Sequence, residues 1–589
     1  MSSSPPSPSP LAPEKDGLFL DNGSRVAVIG GGPAGSFFTY FLFEMAERID
    51  LELAVDIYEP RDFTKPGPQG CNMCGGIISE TLVQLLATEG IDLPSAVVQR
   101  GINSYVLHMD VGTVRIEPTH REKRIAAVHR GGGPRGIVES RWHSFDAHLL
   151  NLAKERGAQV HPERVKGIDF NGGKPRITTK KGTSSGYDLL VGAVGVNTSA
   201  LKIFEEMGAG YRAPGMTKTY ICELFLGEKT IKTYFGNSMH MFLLNLPRIE
   251  FAALIPKGDY VTMVMLGTGI DKSLVEAFFA APEVRKCFPA DWSPPDDSCR
   301  CYPAINISAA VKPFADRMVL IGDSGVSRLY KDGIGGAYRT AKAAARTAVF
   351  DGVAEADFRK GYLPTCRLLS MDNRIGKVVF GITGLIQNTT MLRKGLLRMT
   401  VAEQESHHRP PRMSDVLWDT FTGSAPYGDV FRRSLHPVFL GRLLYETLMG
   451  ALPAGRESGK KEDKVPFGKV GELGKIYNSG EIIVRQGDFG ECMYFIQSGK
   501  VEVIRETDGK EVRLAELGHG EFFGEMALFE KGIRSATVRP LGEVRVLSVD
   551  KRLFLRKIHE DPALAFRIMQ KMSRRIRDLG KELGDLRSE

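Results

Sequence analysis

This sequence has few cysteines, no long apolar run and no strong excess of one charge. Eight cysteines among 589 residues are too few for a disulfide framework, so we expect a reducing, cytoplasmic environment. No stretch contains about 18 consecutive apolar residues, which argues against a membrane-spanning helix. Residues 1–23 are rich in serine and proline and lack the basic and apolar segments of an export signal, which predicts a disordered tail.

The composition is that of a globular protein with several domains. Hydrophobic residues make up 42% and charged residues 25% of the chain, both ordinary values. The net charge of +8 is mild and no long basic block dominates it, so it is only weak evidence for an acidic partner or an anionic membrane surface. A chain of this length exceeds what one hydrophobic core supports, and we expect two to four domains.

Sequence patterns divide the remainder of the chain into four segments. Residues 24–375 alternate strand-like and helix-like stretches, which predicts an α/β domain. Residues 376–452 are mostly helical with basic residues among apolar ones, and both a packed bundle and contact with a membrane or lipid tail stay open. Residues 453–466 predict a solvated linker. Residues 467–589 contain short strands separated by glycine turns, which predicts a small β-roll with a terminal helix.

A glycine-rich turn follows the apolar run at residues 26–29. Gly30 permits a tight turn, Gly32 allows close approach of a pyrophosphate, and Gly35 allows a helix to pack near the strand. The helix N-terminus then directs its free N–H groups at phosphates. Glu59 ends the next predicted strand, where a ribose diol requires an acid. This pattern predicts a dinucleotide-binding fold.

A second glycine-rich helix start indicates which dinucleotide binds. The predicted strand at residues 317–322 ends in Asp323, and Gly335 and Gly336 open a long alanine-rich helix soon afterwards. This arrangement places a carboxylate beside a ribityl chain and a helix start beside an isoalloxazine ring, neither of which an NAD-only dehydrogenase requires. We therefore predict FAD as the cofactor.

Residues 71–77 read Cys-Asn-Met-Cys-Gly-Gly-Ile. With the glycine turn and the Gly-Asp at 322–323, this loop makes residues 24–375 resemble the geranylgeranyl reductase family of FAD-dependent oxidoreductases, in the para-hydroxybenzoate hydroxylase-like superfamily. The resemblance implies an α/β dinucleotide-binding domain with an inserted antiparallel substrate sheet, which residues 211–270 suit. It implies FAD contacts from Ala34, Glu59, Cys74, Gly75, Arg141, Val165, Asp323, Gly335 and Gly336.

The sequence departs from the family pattern at three places. Val194 stands where many relatives have the aspartate of Gly-Ala-Asp-Gly, which weakens both a monooxygenase and direct use of NADPH. The family pattern Tyr-x-Trp-x-Phe-Pro is reduced here to Phe251 and Pro256. The loss of two aromatic side chains predicts a wider pocket. Lys331 precedes the last glycine-rich helix. Two interpretations stay open: a cation near the flavin, and an ordinary surface lysine.

The resemblance implies reduction of an isolated C=C bond of an isoprenoid or other apolar polyene, in a pocket with few polar groups. Cys74 is the candidate proton donor or gate. The alternative is that its loop only brings the backbone close to the flavin ring. Two alternatives stay open: an FAD-dependent monooxygenase, and a nucleotide-sensing flavoprotein without turnover. The electron donor, a protein or NAD(P)H, is not indicated.

Cysteine and histidine spacing gives little support for a metal. Cys71 and Cys74 form a C-x-x-C pair, and Cys299 and Cys301 a C-x-C pair, but neither has a histidine at ligand spacing. His129, His143 and His240 also lack ligand spacing, and we interpret them as hydrogen-bonding residues. We therefore predict no metal.

A second motif lies near the carboxyl end. The residues from Gly524 to Ala527 start a short helix whose N–H groups suit an anion, Glu525 suits a ribose hydroxyl, and Arg534 suits a cyclic phosphate. With Met526 and Ser535, they resemble the phosphate-binding cassette of cyclic nucleotide-binding domains. The resemblance implies cAMP or cGMP as an effector. No helix-turn-helix segment follows, so we expect no binding to nucleic acid.

Overall fold

The computed structural model describes most of the chain. The described residues are 17–118, 122–137, 143–406, 410–450, 472–507, 509–529, 532–560, 565–566, 569–570, 572–573, 575–577 and 580. The predicted linker at 453–466, the first sixteen residues, Arg141 and most of the predicted terminal helix lie outside them. Residues 17–23 correct the prediction of a disordered tail, because Leu20 is buried in the core and Leu18 O accepts a hydrogen bond from Val353 N.

The amino-terminal part contains 21 strands and nine helices among the described residues. The strands are β1 (Ser24–Ile29), β2 (Leu53–Tyr58), β3 (Ile77–Ile78), β4 (Val98–Ile102), β5 (Ser104–Met109), β6 (Gly112–Ile116), β7 (Ile125–Val128), β8 (Gln159–His161), β9 (Gly167–Asn171), β10 (Lys174–Thr179), β11 (Gly182–Thr183), β12 (Leu189–Gly192), β13 (Met216–Lys218), β14 (Tyr220–Phe225), β15 (Ser238–Phe242), β16 (Ile249–Lys257), β17 (Tyr260–Gly267), β18 (Cys299–Cys301), β19 (Ala304–Asn306), β20 (Phe314–Ala315) and β21 (Met318–Leu320). The helices are α1 (Pro33–Glu47), α2 (Glu80–Thr88), α3 (Phe145–Glu155), α4 (Ala200–Glu206), α5 (Glu228–Tyr234), α6 (Lys272–Ala280), α7 (Pro282–Arg285), α8 (Gly333–Phe350) and α9 (Glu355–Gly361).

A six-stranded sheet of order β20-β21-β12-β1-β2-β8 forms the centre of this part. Its strands are parallel except β20, and Val28 in β1 lies between Val191 of β12 and Ile57 of β2. The central strand is an unbroken apolar run because both faces are covered. Helices α1 and α8 pack on one face, and α4 with β10 on the other. The predicted dinucleotide-binding architecture is confirmed.

A seven-stranded sheet of order β18-β14-β17-β16-β15-β5-β6 is inserted between β12 and β21, apart from β5 and β6. All its pairs are antiparallel except β15 with β5. Side chains alternate between two cores: Met239 and Met241 face one, and Phe242 faces the other, beneath α6 and α7. The predicted antiparallel sheet is confirmed.

Five helices follow: α10 (Leu363–Asn388), α11 (Thr390–Glu405), α12 (Arg412–Thr422), α13 (Tyr427–Ser434) and α14 (Pro437–Met449). They share a core with the inner face of the seven-stranded sheet, where Trp418 stacks on Tyr105 with ring centroids 5.6 Å apart. Within the described residues, none of the helices combines the length and the apolarity that a bilayer crossing requires.

The carboxyl-terminal part contains β22 (Lys475–Tyr477), β23 (Cys492–Ser498), β24 (Val501–Thr507), β25 (Lys510–Leu517), β26 (Phe522–Phe523), α15 (Met526–Phe529), β27 (Thr537–Pro540), β28 (Val544–Asp550) and α16 (Lys551–Glu560). Two antiparallel sheets, β22-β28-β23-β26 and β25-β24-β27, enclose an apolar core. The predicted β-roll is confirmed.

This β-roll rests on α2 and β7 of the amino-terminal part. Leu473 and Leu547 share a core with that part, and Gly474 N donates to Lys123 O. Arg124, of which 4% is exposed, lies 2.9 Å from Glu80 and 2.9 Å from Asp550. One arginine therefore joins β28 to the first turn of α2.

Candidate functional site

A cavity of about 390 Å³ opens at the carboxyl ends of β1, β2 and β12. This is the edge of a parallel sheet at which α/β proteins bind their ligands. One half is polar and lies against the glycine turn. The other half lies under the seven-stranded sheet and is lined by Ile221, Met239, Met241, Phe251, Ala253, Ile255, Val264 and Leu266.

The glycine turn has the geometry that its sequence predicts. Gly30 has φ of +107°, and a Cβ there would come within 2.4 Å of Ala193 O. At Gly35 a Cβ would come within 1.9 Å of Gly30 O, so this glycine lets α1 pack against the turn. Gly32 and Ala34 line the cavity, and α1 has no side-chain cap on its first N–H groups. These donors are available to a bound anion.

Glu59 is buried at the wall of this polar half. Its Oε2 accepts from Gly31 N at 2.8 Å and its Oε1 from Arg61 N at 2.9 Å. Burial raises the pKa of Glu59, and the two backbone hydrogen bonds partly oppose that rise. A buried carboxylate facing a cavity is stabilised by further O–H donors, so the site suits a ribose diol.

Arg130 also faces the cavity, although the sequence did not single it out. Its guanidinium binds the buried carboxylate of Asp146, with Nη2 2.9 Å from Oδ2. Asn72 Nδ2 donates to the same carboxylate at 2.7 Å. Burial lowers the pKa of Arg130, but Asp146 outweighs this and the net pKa is raised. No contiguous motif marks this pair, because sixteen residues separate Arg130 from Asp146.

The Cys-Gly-Gly loop separates the two halves of the cavity. Cys74 and Gly75 both line it, and a Cβ at Gly75 would lie 3.0 Å from Val264 of the sheet. Val128 N donates to Gly76 O, which holds the loop against β7. The predicted loop residues therefore stand between the glycine turn and the apolar half.

Lys331 is half-buried and lines the same cavity, which favours a cation beside this site over an ordinary surface lysine. Its Nζ donates to Phe421 O at 2.8 Å and lies 4.2 Å from the ring centroid of Phe251. Burial lowers the pKa of Lys331 well below its ordinary value, and Arg328 adds to this effect.

The remaining predicted cofactor residues divide into two groups. Asp323 and Val165 line the cavity, and burial raises the pKa of Asp323 while a hydrogen bond from Ser327 opposes this. Gly335 and Gly336 are in the first turn of α8 but do not line the cavity, because they pack against Asp332 and Ser327, and their contact with FAD stays a prediction. Gly333, Ile334 and Ala337 of the same helix face the cavity instead.

The four cysteines weighed as metal ligands do not form a metal-ligating group in the described residues. Cys71, Cys74, Cys299 and Cys301 are free thiols, as are the other four cysteines. The one group of three ligating side chains found in the described part of the chain is His108, His240 and Cys287, which includes a histidine that we interpreted as an ordinary hydrogen-bonding residue.

The cassette of the β-roll brings its predicted residues together. Arg534 is buried, and its Nη1 donates to Gly524 O at 2.9 Å. Glu525 is buried and lies 3.6 Å from Nη1 of Arg575, a residue of the carboxyl-terminal segment. Met526 and Ser535 are exposed and in contact, with Sδ and Oγ 3.5 Å apart, whereas Ala527 is buried.

Comparison with known proteins identifies similarity mainly for this cassette. Residues 475–561 match the family profile described as "Cyclic nucleotide-binding domain". The Cyclic AMP receptor protein of Thermus thermophilus is 36% identical over 110 residues, which are 18% of this chain and 51% of that protein. A cAMP-dependent protein kinase regulatory subunit of Schizosaccharomyces pombe is 31% identical over 146 residues, 24% of this chain and 33% of that one. The chain spans about half of the first relative and a third of the second.

Two solved structures resemble the larger part of the chain. A flavoprotein/dehydrogenase from Cytophaga hutchinsonii has a TM-score of 0.48 and 15% identity, covering 73% of this chain and 100% of its own. The flavin-dependent brominase Bmp2 has a TM-score of 0.47 and 15% identity, covering 70% of this chain and 98% of its own.

Proposed function

We propose that this chain is an FAD-dependent oxidoreductase that reduces a C=C bond of an isoprenoid or other apolar polyene, under control of a cyclic nucleotide bound to its β-roll. The observation that carries the proposal is the divided cavity. Its polar half ends at an uncapped helix and a buried acid, and its apolar half lies under the sheet. The Cys-Gly-Gly loop stands between them.

The polar half fits FAD by the chemistry of its donors and acceptors. The first turn of α1 would bind the pyrophosphate, Glu59 the adenosine ribose, and Asp323 the ribityl chain. Arg130, held by Asp146, adds a cation to this anionic ligand. FAD, when bound, supplies a hydride for the reduction.

The apolar half supports a substrate without polar handles. Its walls are methionine, phenylalanine and aliphatic side chains, so binding is driven by removal of apolar surface from water. Cys74 and Lys331 are the residues at its edge that can deliver a proton to one carbon of the double bond. The Lys331 ammonium is a strong acid for a lysine, because burial lowers its pKa and favours its neutral form.

Contact with a membrane surface is part of the proposal, because the substrate is a lipid. Helix α10 exposes Leu368, Met371, Val378, Ile382 and Leu385, and α14 exposes Val438, Leu440, Leu444, Tyr445 and Leu448. Apolar faces of this extent on helices with basic neighbours bind anionic bilayers. Flotation with anionic and zwitterionic vesicles tests this: the protein should float with anionic vesicles, and L368E with L385E should abolish flotation.

The regulatory part of the proposal rests on the contact between β-roll and α2. Asp550 of β28 binds Arg124, which binds Glu80 in the first turn of α2. The preceding residue, Ser79, donates to Asp332 Oδ1 at 2.9 Å, at the start of α8 beside the cavity. These contacts link the nucleotide-binding domain to the predicted flavin site.

Nucleotide binding would change the opposite side of the β-roll as well. A ribose hydroxyl at Glu525 competes with Arg575, whose segment also places Phe566 5.2 Å from the Arg48 guanidinium of the oxidoreductase part. A ligand that favours one arrangement shifts activity by its differential affinity, typically about 1–3 kcal/mol or roughly 5- to 150-fold.

The test of activity begins with the visible spectrum of the purified full chain, which should show bound flavin. Dithionite-reduced protein incubated with polyprenyl lipids should give products heavier by two hydrogens. C74A and K331M should lose turnover and keep the flavin, whereas C366A, at a buried thiol outside the cavity, should keep both. A colourless protein that takes up no FAD, or a product heavier by one oxygen, would contradict the proposal.

The test of regulation adds cAMP or cGMP to the same assay. One of them should change the rate of lipid reduction at least about fivefold. In R124M the nucleotide should still bind and its effect on rate should disappear. Rates that are equal with and without either nucleotide would refute the regulatory part alone.

A further inference from the structure

The outer face of the seven-stranded sheet carries a group of three buried side chains with no role in the proposed reaction. His108 lies on β5 and His240 on the neighbouring β15, and Cys287 follows α7, which covers these strands. All three are buried. His240 stands between Met239 and Met241, which face the cavity, so it points to the opposite side of the sheet.

The three ligating atoms form a triangle. His108 Nε2 lies 3.0 Å from His240 Nδ1, and Cys287 Sγ lies 3.4 Å from His240 Nδ1 and 3.8 Å from His108 Nε2. With Zn–N of about 2.0–2.1 Å and Zn–S of about 2.3 Å, a tetrahedral ion gives about 3.3 Å between nitrogens and about 3.6 Å between nitrogen and sulfur. Each observed edge is within about 0.3 Å of these values.

Cys287 Sγ also donates to Glu283 O at 3.5 Å, but hydrogen bonds among the three atoms cannot pair every edge of the triangle. Each imidazole nitrogen carries either one hydrogen or one lone pair, so no nitrogen bonds well to both of its neighbours. A metal ion bonded to all three atoms uses every lone pair at once. The other nitrogen of His108, Nδ1, lies 3.3 Å from Thr113 Oγ1. In the tautomer in which Nδ1 donates to this hydroxyl, Nε2 is unprotonated and available to a metal.

We infer that His108, His240 and Cys287 bind a zinc ion on the outer face of the sheet that roofs the cavity. Binding exchanges the thiol proton of Cys287 for a bond to the metal, and the ion remains Zn²⁺ throughout. In the described residues, no fourth His, Cys, Asp or Glu joins the group, so water completes the coordination. The ion ties α7 to β5 and β15, and it stabilises the roof without touching the substrate.

The first test uses the wild-type full chain and requires no substitution. Protein purified without chelators should contain equimolar zinc, and X-ray absorption at the zinc edge should show one sulfur and two imidazole nitrogens. Protein stripped of metal and given Co²⁺ should develop ligand-field bands at longer wavelengths than flavin absorption. Zinc-free protein that gains no such bands, or an edge spectrum without sulfur, would overturn the inference.

The second test compares two buried cysteines in the same part of the molecule. C287S should lose the zinc and the sulfur signal, and H240Q should lose the zinc. C222S should keep both, because Cys222 is buried in β14 with its Sγ donating to Ser298 Oγ at 3.3 Å. Equal zinc content in C287S and C222S would refute the site, and circular dichroism establishes that each variant is folded.

Discussion

Replacing Arg124 with methionine tests whether the β-roll is held to the amino-terminal part by a buried charge. The guanidinium is 4% exposed and is bound by Glu80, Glu122 and Asp550 at 2.9, 3.0 and 2.9 Å. Burial lowers its pKa, but the three carboxylates outweigh this and raise it. Methionine keeps most of the volume and leaves these carboxylates without their cation.

The size of the effect depends on the solvent exposure and the hydrogen bonds that each carboxylate keeps in R124M. Removing one partner of a buried ion pair costs about 3–5 kcal/mol. Asp550 is 35% exposed and turns to water at little cost, Glu80 keeps the Trp418 indole N–H at 2.9 Å, and Glu122 keeps Ser548 N at 2.9 Å. We therefore expect the lower end of that range, about 3 kcal/mol of lost interface stability.

Hydrogen exchange read by mass spectrometry measures this loss. Since each 1.4 kcal/mol is a factor of ten, backbone amides of α2 and β28 should exchange about 100-fold faster in R124M. The matched control is R539M, because Arg539 pairs with Glu502 and Glu511 on the exposed surface of the β-roll. There we expect less than about 1 kcal/mol. Exchange at α2 that is unchanged in R124M, or equally faster in R539M, would refute the reasoning.

Three further predictions concern the two ligand sites. R534A should abolish binding of cAMP and cGMP in calorimetry and leave the flavin spectrum unchanged, since its guanidinium lies in the cassette and not in the cavity; retained nucleotide affinity would place the phosphate elsewhere. E59A should weaken FAD binding about 10- to 100-fold in equilibrium dialysis, because the ribose loses a buried acceptor worth about 1–3 kcal/mol. The control E47A, on the exposed side of α1, should leave FAD affinity unchanged. Equal FAD affinities of the two variants would contradict this prediction. Burial lowers the pKa of Lys331 in the folded protein, so the unfolded chain binds more protons between that pKa and 10.5. The free energy of unfolding, relative to that of K331M, should therefore rise with pH by up to about 1.4 kcal/mol per pH unit. Urea unfolding at pH 7 and pH 9 measures this difference, and an unchanged difference would contradict the prediction.

The features predicted correctly from the sequence are all local. The glycine turn, its following helix and Glu59 form a strand–turn–helix unit whose backbone is set by contiguous residues. The cassette from Gly524 to Arg534 is similarly short, and the structure brings its residues together. The family resemblance implied the antiparallel sheet, and residues 211–270 alternate as its strands require, because alternate residues of a strand face opposite sides.

The sequence did not resolve which residues at the start of α8 line the cavity. The motif assigned Gly335 and Gly336 to the flavin, whereas the residues of α8 that line the cavity are Gly333, Ile334 and Ala337. A shift of one or two residues rotates a helical position by 100° each, which local composition does not resolve.

The sequence by itself determined which backbone turns could bind phosphates, since these require glycine or a free helix end at contiguous positions. Tertiary structure alone decided which distant side chains meet: Arg130 with Asp146 at the cavity, Arg124 with Asp550 between domains, and His108 with His240 and Cys287 behind the sheet. The physical reason is that strand register and domain packing, and not spacing along the chain, bring these groups within bonding distance.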